Sequence, residues 1–385
     1  MRNLAIIMWF SVAIFASSVS ITAKAIETRQ ITPPKLESAH IGKRILCNRP
    51  MRRGTPAMFV EHNKVLNKII AHNYGHGGSG WTLAPGAAKH VVRELDDILR
   101  AEKISKQEPI TIIGAGILGL LNALELHNFG YKNITIVAES FDNLTSHNAA
   151  GLLAPVSMDN NPKMQKLINK IGVDAYKFYK RIALGKNPQI KTGARIVPAY
   201  FNNREESGLE PYVGVVMQPA KDVLLDFGTG VKRPMIVYDD GIFMDTQTLL
   251  VSLTRTVKNY GIKLQRKMIH SFADIETKVI VNCAGYGAKK LAQDKNLLQV
   301  QGHLVMLKDQ NPQDINHMIL IYLDSGKTTD GAKIKRSFYM FPKSLAGAAA
   351  RDVGVLGGTF IEGATTANIE EFDILIANAK KFYGI

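Results

Sequence analysis

Apolar positions along this chain follow two different periods, and the change from one to the other predicts where strands and helices lie. Ile110–Ile113 is a short apolar run, which is typical of a buried strand. Apolar residues then recur at helical spacing from Leu118 to Leu126, and this pattern stops at Gly130. A second apolar run, 134–137, follows at once. Strand, helix and strand in this order predict a βαβ unit in a parallel sheet.

The turn between the first strand and the helix carries Gly114, Gly116 and Gly119 in GxGxxG spacing. In this pattern the first glycine makes a tight turn, the second lets a pyrophosphate approach the backbone, and the third lets helix and strand pack closely. The start of the helix offers free N–H groups and a positive dipole. Glu139, twenty residues after Gly119, ends the second strand, where a carboxylate can bind ribose hydroxyls. The motif predicts an adenine dinucleotide, with NAD and FAD both open.

The remaining pattern predicts an α/β protein with a second domain of the α+β class. Short strands and turns from 196 to 244 favour a mostly antiparallel sheet. Helices are predicted at 87–102, 162–184, 246–260 (capped by Asp245) and 372–382, and strands at 68–71, 263–269, 279–281, 304–307, 318–322, 337–341 and 353–356. Residues 48–56 are interpreted as a turn-rich basic segment.

A second glycine-rich turn follows the predicted strand 68–71. Residues 72–82 read HNYGHGGSGWT, with four glycines within 75–80. A helix is predicted shortly afterwards, so the chain has a second place where a backbone can approach a ligand closely. On the pattern alone, an ordinary tight turn explains it equally well.

The first 25 residues have the features of a secretory signal peptide. Arg2 precedes an apolar run, 4–16, and the segment ends in Ala23-Lys24-Ala25, an A-x-A cleavage pattern. We expect export to a periplasm-like or extracellular compartment; the alternative is an uncleaved anchor. Cleavage would leave 385 − 25 = 360 residues, about two domains.

The charge balance favours anionic small molecules and surfaces. The formal net charge is +15, and removing Arg2 and Lys24, with no acidic residue between them, lowers it to +13. No arginine-rich tract interleaved with aromatic residues is present, so we do not expect nucleic-acid binding. Two cysteines, Cys47 and Cys283, exclude a disulfide scaffold, and we expect two separate buried thiols rather than one bridge. The histidines show no metal-binding spacing, so no metal site is predicted.

Several separated stretches together resemble the D-amino-acid oxidase family of FAD oxidoreductases. They are ITIIGAGILGL (110–120), LTSHNAAGLLAP (144–155), the helix and strand of 249–274, VNCAGYGA (281–288), SFYMFP (337–342), GGTF (357–360), NRPMR (48–52) and, most specifically, HNYGHGGSGWT (72–82). The resemblance implies FAD rather than NAD, bound by a Rossmann-type domain beside a substrate domain with an antiparallel sheet.

The order of these stretches differs from the family's. In the family, the segments similar to 48–52 and 72–82 follow the one similar to 357–360, whereas here they precede the dinucleotide motif. We therefore hypothesise a circular permutation, which predicts that Gly384 and Ile385 lie near residues 30–45. The predicted organisation is 1–25 signal peptide, 26–109 permuted segment, 110–185 FAD-binding core, 186–245 first part of the substrate domain, 246–298 FAD-binding domain continued and 299–385 second part of the substrate domain.

The resemblance also implies site residues. Arg49 would pair the substrate carboxylate in a forked geometry, the Tyr339 hydroxyl would contact the same carboxylate, and the Gly78 carbonyl would hold the substrate amine. The implied cofactor contacts are Gly114, Gly116, Ile117, Leu118, Gly119, Glu139, Ser140, Thr145, Ser146, Ala150, Gly151, Met268, Ala284, Gly285, Gly77, Gly78, Ser79, Gly80 and Thr82.

The implied reaction is oxidative deamination of a D-amino acid, with oxygen or a membrane component as electron acceptor. Alternatives are a glycine- or sarcosine-type oxidase, a dehydrogenase linked to a membrane acceptor, and a non-catalytic flavin-binding protein.

Two departures from the family affect the substrate end: Lys335 stands where a second tyrosine is frequent, and 299–302 lacks the usual proline–glycine–arginine pattern. If Lys335, Lys333 or Arg336 pointed inward, an acidic substrate side chain would be favoured; a solvated basic edge is the other interpretation. The oligomeric state does not follow from the sequence.

Overall fold

The computed structural model describes residues 26–156, 158, 160–364 and 366–385, and the predicted signal peptide lies outside them. The strands are β1 (Glu27–Gln30), β2 (Ile41–Arg52), β3 (Ala57–Asn63), β4 (Lys68–Tyr74), β5 (Ile110–Ile113), β6 (Ile134–Ala138), β7 (Ala194–Ile196), β8 (Ala199–Phe201), β9 (Lys221–Asp226), β10 (Lys232–Tyr238), β11 (Ile242–Met244), β12 (Lys263–Arg266), β13 (Val279–Asn282), β14 (Leu297–Leu307), β15 (Met318–Lys327), β16 (Lys333–Phe341) and β17 (Val355–Glu362). The helices are α1 (Gly80–Ala101), α2 (Ile117–Asn128), α3 (Pro162–Ala183), α4 (Thr246–Asn259), α5 (Ala288–Leu291) and α6 (Glu371–Tyr383).

A six-stranded sheet contains the predicted βαβ unit. Its order is β12-β6-β5-β13-β4-β3, with all neighbours parallel except β3, which pairs antiparallel with β4. The central strands are buried along their length, as expected for a parallel sheet covered on both faces. Five parallel strands, β4, β5, β6, β12 and β13, therefore end at one edge, where ligands bind in open α/β sheets.

A nine-stranded sheet forms the second layer. Its order is β1-β9-β10-β8-β15-β16-β17-β14-β2, and the run from β15 to β2 is antiparallel throughout. Helix α6 covers one face through Phe372, Leu375 and Phe382, which lie in an apolar cluster with buried residues of the sheet. Strands β7 and β11 form a separate two-stranded antiparallel sheet. The predicted α/β class, with a second sheet that is mostly antiparallel, is confirmed.

Helix starts follow their capping residues. The Asp245 side chain accepts from the Thr248 N–H at 3.2 Å and starts α4, as predicted, because this contact satisfies a free N–H of the first turn. Helix α1 starts at Gly80, seven residues before the predicted start. Gly80, Pro85 and Gly86 lie in its first two turns and have low helix propensity, so the pattern predicts a later start.

Two predicted turns are strand residues. The segment 48–56, predicted to be turn-rich, is continuous with β2 up to Arg52 because β14 pairs along it, with Val300 opposite Arg49. Gly357–Thr359, predicted to close a strand, lies inside β17. In both cases pairing with a neighbouring strand overrides the local preference for a turn.

The C-terminal helix, α6, lies next to residues 26–45, here called the N-terminal lead-in. The Ile31 N–H donates to the Asp226 carbonyl at 3.0 Å, and the adjacent Phe227 ring lies 5.3 Å from that of Phe382 and 5.0 Å from that of Tyr383. Leu36 belongs to the same apolar cluster.

Within the described residues, we find no helix with the length and apolar character required to span a bilayer.

Candidate active site

The two sheets enclose a cleft of about 440 Å³ at the carboxyl edge of the parallel strands. The turns after β4, β5, β6 and β13 line one side of the cleft, and strands of the nine-stranded sheet form the opposite wall. One end is therefore built from turns and helix starts, and the other from side chains on a sheet. This division predicts a nucleotide at the first end and a small reacting molecule at the second.

The nucleotide end depends on two close backbone approaches. A Cβ on Gly114 would lie 2.3 Å from the Cys283 carbonyl oxygen, and one on Gly119 would lie 1.9 Å from the Gly114 carbonyl oxygen. No other residue fits at either position. Helix α2 begins at this turn, and its N-cap residue, Gly116, has no side chain that could cap the first N–H groups of the helix.

Ser146 closes this end from the other side. Its hydroxyl accepts from the Ile117 N–H at 3.1 Å, and its carbonyl accepts from the Trp81 indole N–H at 2.9 Å. The residue thus links the loop after β6 to both α1 and α2. Trp81 is a contact that the sequence did not single out.

Most of the predicted cofactor contacts line the cleft. They are Gly114, Gly116, Ile117, Leu118, Glu139, Ser140, Thr145, Ser146, Ala150, Gly151, Met268, Ala284, Gly285, Gly77, Gly78 and Gly80. They come from five separate turns, which the parallel sheet brings to one edge.

Three predicted contacts lie behind the lining. Gly119 packs on Gly114, as described. Ser79 is buried and donates its hydroxyl hydrogen to the Val156 carbonyl. Thr82 is also buried, and its hydroxyl bonds the Ala154 carbonyl at 3.0 Å. These residues fix cleft-lining segments instead of lining the cleft, because the start of α1 turns their side chains toward the segment 152–156.

The substrate end brings together the three predicted catalytic residues. Arg49, Tyr339 and Gly78 all line the cleft. The Arg49 guanidinium donates to the Thr359 carbonyl at 3.0 Å and lies beside the Tyr339 side chain in the cleft. Burial raises the pKa of Tyr339, and Arg49 opposes that rise. Among the described residues no carboxylate pairs with Arg49, so its charge is available to an anion.

Two mid-strand glycines make room for these side chains. A Cβ on Gly302 would lie 2.3 Å from Arg49 Nη2, and one on Gly357 would lie 2.1 Å from Tyr339 Cζ. The β14–β17 and β16–β17 ladders each change register here, and such bulges re-aim side chains beside active sites. Sequence reasoning assigned no role to either glycine. The available signal was that a glycine inside a strand marks a close approach.

The wall around Arg49 and Tyr339 is largely apolar. Phe341 stacks on Tyr339 with ring centroids 4.4 Å apart, and Leu304, Leu320, Phe360 and Tyr322 complete the surface. Tyr322 was not predicted.

The basic residues that precede Tyr339 stay outside the cleft. Lys333 and Lys335 are exposed and do not line it. Arg336 forms an ion pair with the buried Glu371 at 2.6 Å. The solvated-edge interpretation of this segment is therefore the correct one, and it removes the basis for an acidic substrate side chain.

A GxGxxG turn at the carboxyl edge of a parallel sheet, beside a second pocket that contains Arg49, is typical of dinucleotide-dependent oxidoreductases. Residues 109–384 match the family described as "DAO: FAD dependent oxidoreductase". This is more than half of the chain, and the chain belongs to that family. The match begins one residue before β5, so residues 26–108 lie outside it.

Two curated relatives are D-amino-acid oxidases. The one from Dictyostelium discoideum is 26% identical over 212 residues, which cover 54% of this chain and 59% of the relative. The one from Streptomyces coelicolor is 26% identical over 243 residues, covering 61% and 68%. The match thus spans less than two thirds of the Dictyostelium protein. Among solved structures, glycine oxidase from Bacillus cereus superposes with a TM-score of 0.49 at 16% identity, covering 71% of this chain and 77% of that one.

The cleft fits the FAD of this family. The tight turn at Gly114 and the N–H groups that follow Ile117 in the first turn of α2 provide for the phosphates. Glu139 at the end of β6 provides for a ribose. The cleft then continues past Gly78 to Tyr339, which leaves room for a flat ring system between turn and sheet.

Proposed function

We propose that this protein oxidises the amino group of a small amino acid, with D-amino acids as the first choice. The overall reaction converts the amino acid, water and oxygen to a keto acid, ammonia and hydrogen peroxide. The observation that carries the proposal is the unpaired Arg49 guanidinium, which lies beside Tyr339 in the same cleft as the FAD-binding turns. The names of the two curated relatives also support it.

Each residue has a simple task in this reaction. Arg49 binds the substrate carboxylate through two parallel N–H groups, and the Tyr339 hydroxyl donates a further hydrogen bond to it. The Gly78 carbonyl accepts from the substrate amine. When bound, FAD supplies the acceptor for the hydride that leaves the α-carbon. Catalysis by the protein then consists mostly of holding the α-hydrogen in line with that acceptor.

The pocket favours a substrate with an uncharged side chain. The wall beside Tyr339 is formed by Leu304, Leu320 and Phe341, and a charge placed there without a partner would be destabilised by several kcal/mol. Lys335 is too exposed to provide such a partner.

A substrate panel tests the proposal. The purified, FAD-loaded protein is mixed anaerobically with neutral D-amino acids, D-aspartate, glycine, sarcosine and L-amino acids, and the flavin absorbance band is followed. We expect bleaching with neutral D-amino acids and peroxide once oxygen is admitted. Bleaching with glycine or sarcosine alone would replace the D-amino-acid assignment, bleaching without peroxide would indicate a membrane-linked acceptor, and no bleaching with any compound would refute catalysis.

We also propose that the chain is a circular permutation of its family's order. Three facts support this: the family match starts at 109, β4 lies in the sheet next to β13, and Phe382 and Tyr383 contact Phe227 next to the lead-in. A rearranged gene, with the permuted segment 26–109 placed after Ile385 through a short linker, should give a folded protein that binds FAD. An insoluble or FAD-free product from this gene, beside a normal parent protein, would count against the proposal.

Export through an N-terminal signal peptide is likewise our proposal. It is supported by the apolar run 4–16 and the pattern Ala23-Lys24-Ala25. N-terminal sequencing of protein from fractionated cells should find a new terminus after Ala25 in the exported fraction. An intact Met1 in a cytoplasmic fraction would refute it.

A further inference from the structure

One buried lysine has no function in the proposed reaction and no carboxylate partner. Lys343 is 1% exposed and follows β16, the strand that carries Tyr339. Its ammonium group donates to the Thr246 hydroxyl at 2.7 Å and to the His147 carbonyl at 3.1 Å. No ion pair involves it among the described residues. Because a buried charge is strongly unfavourable, these two contacts and their surroundings must hold it firmly.

The two acceptors belong to a small network at the base of one loop. The His147 carbonyl also accepts from the Gln247 amide at 3.0 Å, and the Thr246 hydroxyl lies 3.2 Å from the Ala149 carbonyl. Thr246 is fully buried at the start of α4. The loop backbone is thus fixed from α4 and from the end of β16 together.

This loop, 147–151, lies between the network and the cofactor cleft. Its residues 148–151 line the cleft, whereas Lys343 and Thr246 do not. At the far end of the loop the Gly151 carbonyl accepts from the Met244 N–H at 2.6 Å. The loop is therefore held at both ends, and its His147 end depends on the Lys343 ammonium group.

We propose that Lys343 is a positioning residue for the cofactor: its ammonium group holds the loop 147–151 in the conformation that receives FAD. The reason for a cation is geometric. One ammonium can donate to several acceptors that converge from different directions, and a carbonyl that already accepts from an amide gains most from a charged second donor. Burial lowers the pKa of Lys343 to about 8, with Asp245 acting in the opposite direction, so the group is still mostly charged at pH 7.

Lys68 gives a matched control. Its ammonium group likewise donates to two acceptors, the backbone carbonyls of Ile275 at 2.5 Å and Thr277 at 2.9 Å. Lys68 is half-buried, and neither carbonyl belongs to the cleft. Loss of this clamp removes similar hydrogen bonds away from the cofactor. The comparison separates an effect on the loop from a general loss of packing.

The test is the FAD dissociation constant of apoprotein, measured by the quenching of flavin fluorescence. Lys343→Met should raise it about tenfold or more, the equivalent of losing one charge-assisted hydrogen bond, while Lys68→Met stays within about twofold. Hydrogen exchange at 147–151 should increase only in Lys343→Met. Equal effects of the two substitutions, or an unchanged dissociation constant in Lys343→Met, would overturn the proposal.

A milder variant covers the case in which Lys343→Met does not fold. Thr246→Val keeps the shape of the side chain and removes the hydroxyl that accepts from Lys343 and bonds the Ala149 carbonyl of the loop, while the direct bond from Lys343 to the His147 carbonyl remains. It should raise the FAD dissociation constant in the same direction, by about threefold to tenfold. A folded Thr246→Val protein with unchanged FAD affinity and unchanged exchange at 147–151 would equally refute the proposal.

Discussion

Gly302 provides the sharpest prediction, because its only evident task is to leave space for Arg49. In Gly302→Ala the new Cβ would lie 2.3 Å from Arg49 Nη2 and 2.6 Å from Cζ. Carbon and nitrogen atoms need about 3.5 Å, so the guanidinium must move by roughly 1 Å. It then loses its alignment with the Thr359 carbonyl and with Tyr339.

The cost follows from the geometry of a forked ion pair. A charge-assisted hydrogen bond contributes about 1.5–3 kcal/mol, and a displacement of about 1 Å near reacting atoms lowers rates about 10²-fold. We therefore expect Gly302→Ala to weaken binding of an unreactive carboxylate such as benzoate by about tenfold to hundredfold. The flavin spectrum reports benzoate binding directly, and kcat/KM for the best substrate should fall by at least as much.

Gly326 is the matched control. It also lies in a strand of the nine-stranded sheet, but a Cβ there would meet nothing within 4 Å. Gly326→Ala should leave benzoate affinity and FAD affinity unchanged within about twofold. If Gly302→Ala binds benzoate as tightly as Gly326→Ala does, Arg49 is not the carboxylate ligand or is not held where the structure places it.

Three further predictions concern the same fold. Gly357→Ala would put a Cβ 2.1 Å from Tyr339 Cζ, so it should raise KM and the benzoate dissociation constant about tenfold with little change in FAD affinity; an unchanged KM would contradict this. In Gly119→Ala the new Cβ would lie 1.9 Å from the Gly114 carbonyl oxygen, so the backbone must shift. We expect the free energy of unfolding, measured by urea denaturation, to fall by about 1–3 kcal/mol and FAD to bind more weakly; a fully stable variant would refute the packing role. Burial lowers the pKa of His317 from 6.5 to about 4, so the unfolded chain binds a proton at a higher pH than the folded protein does. The free energy of unfolding therefore falls by about 1.4 kcal/mol per pH unit as the pH drops from 6.5 toward 4. His317→Gln should flatten that slope between pH 6.5 and 5, and an identical slope would show that His317 does not contribute.

The nucleotide end of the site was predictable because local sequence determines it. The glycines of the turn, the strand before it and Glu139 after it all lie within one βαβ unit, and the motif gives a steric or electrostatic reason for each. The Cys283 carbonyl that leaves no room for a side chain at Gly114 comes from outside this unit. The resemblance to a known family then added Arg49, Tyr339 and Gly78. Their meeting in one cleft depends on strands far apart in sequence.

The residues that escaped prediction act through contacts between strands. Gly302 and Gly357 matter only because β14, β17 and β16 are neighbours with shifted registers. Nothing in the sequence next to Lys343 shows that α4 and the loop 147–151 close over it. Pairing between strands also makes residues 48–52 part of β2 and carries β17 beyond 356, the predicted end of that strand.

The most direct measurement of the central claim compares flavin reduction in the parent protein and in Arg49→Lys. Both are loaded with FAD and mixed anaerobically with the best neutral D-amino acid in a stopped-flow instrument. Because lysine keeps the charge but not the fork, we predict that FAD remains bound while the second-order rate constant of reduction falls about hundredfold. Reduction of Arg49→Lys at the parent rate would contradict the assignment of residue 49 as the carboxylate clamp, and with it the proposed reaction.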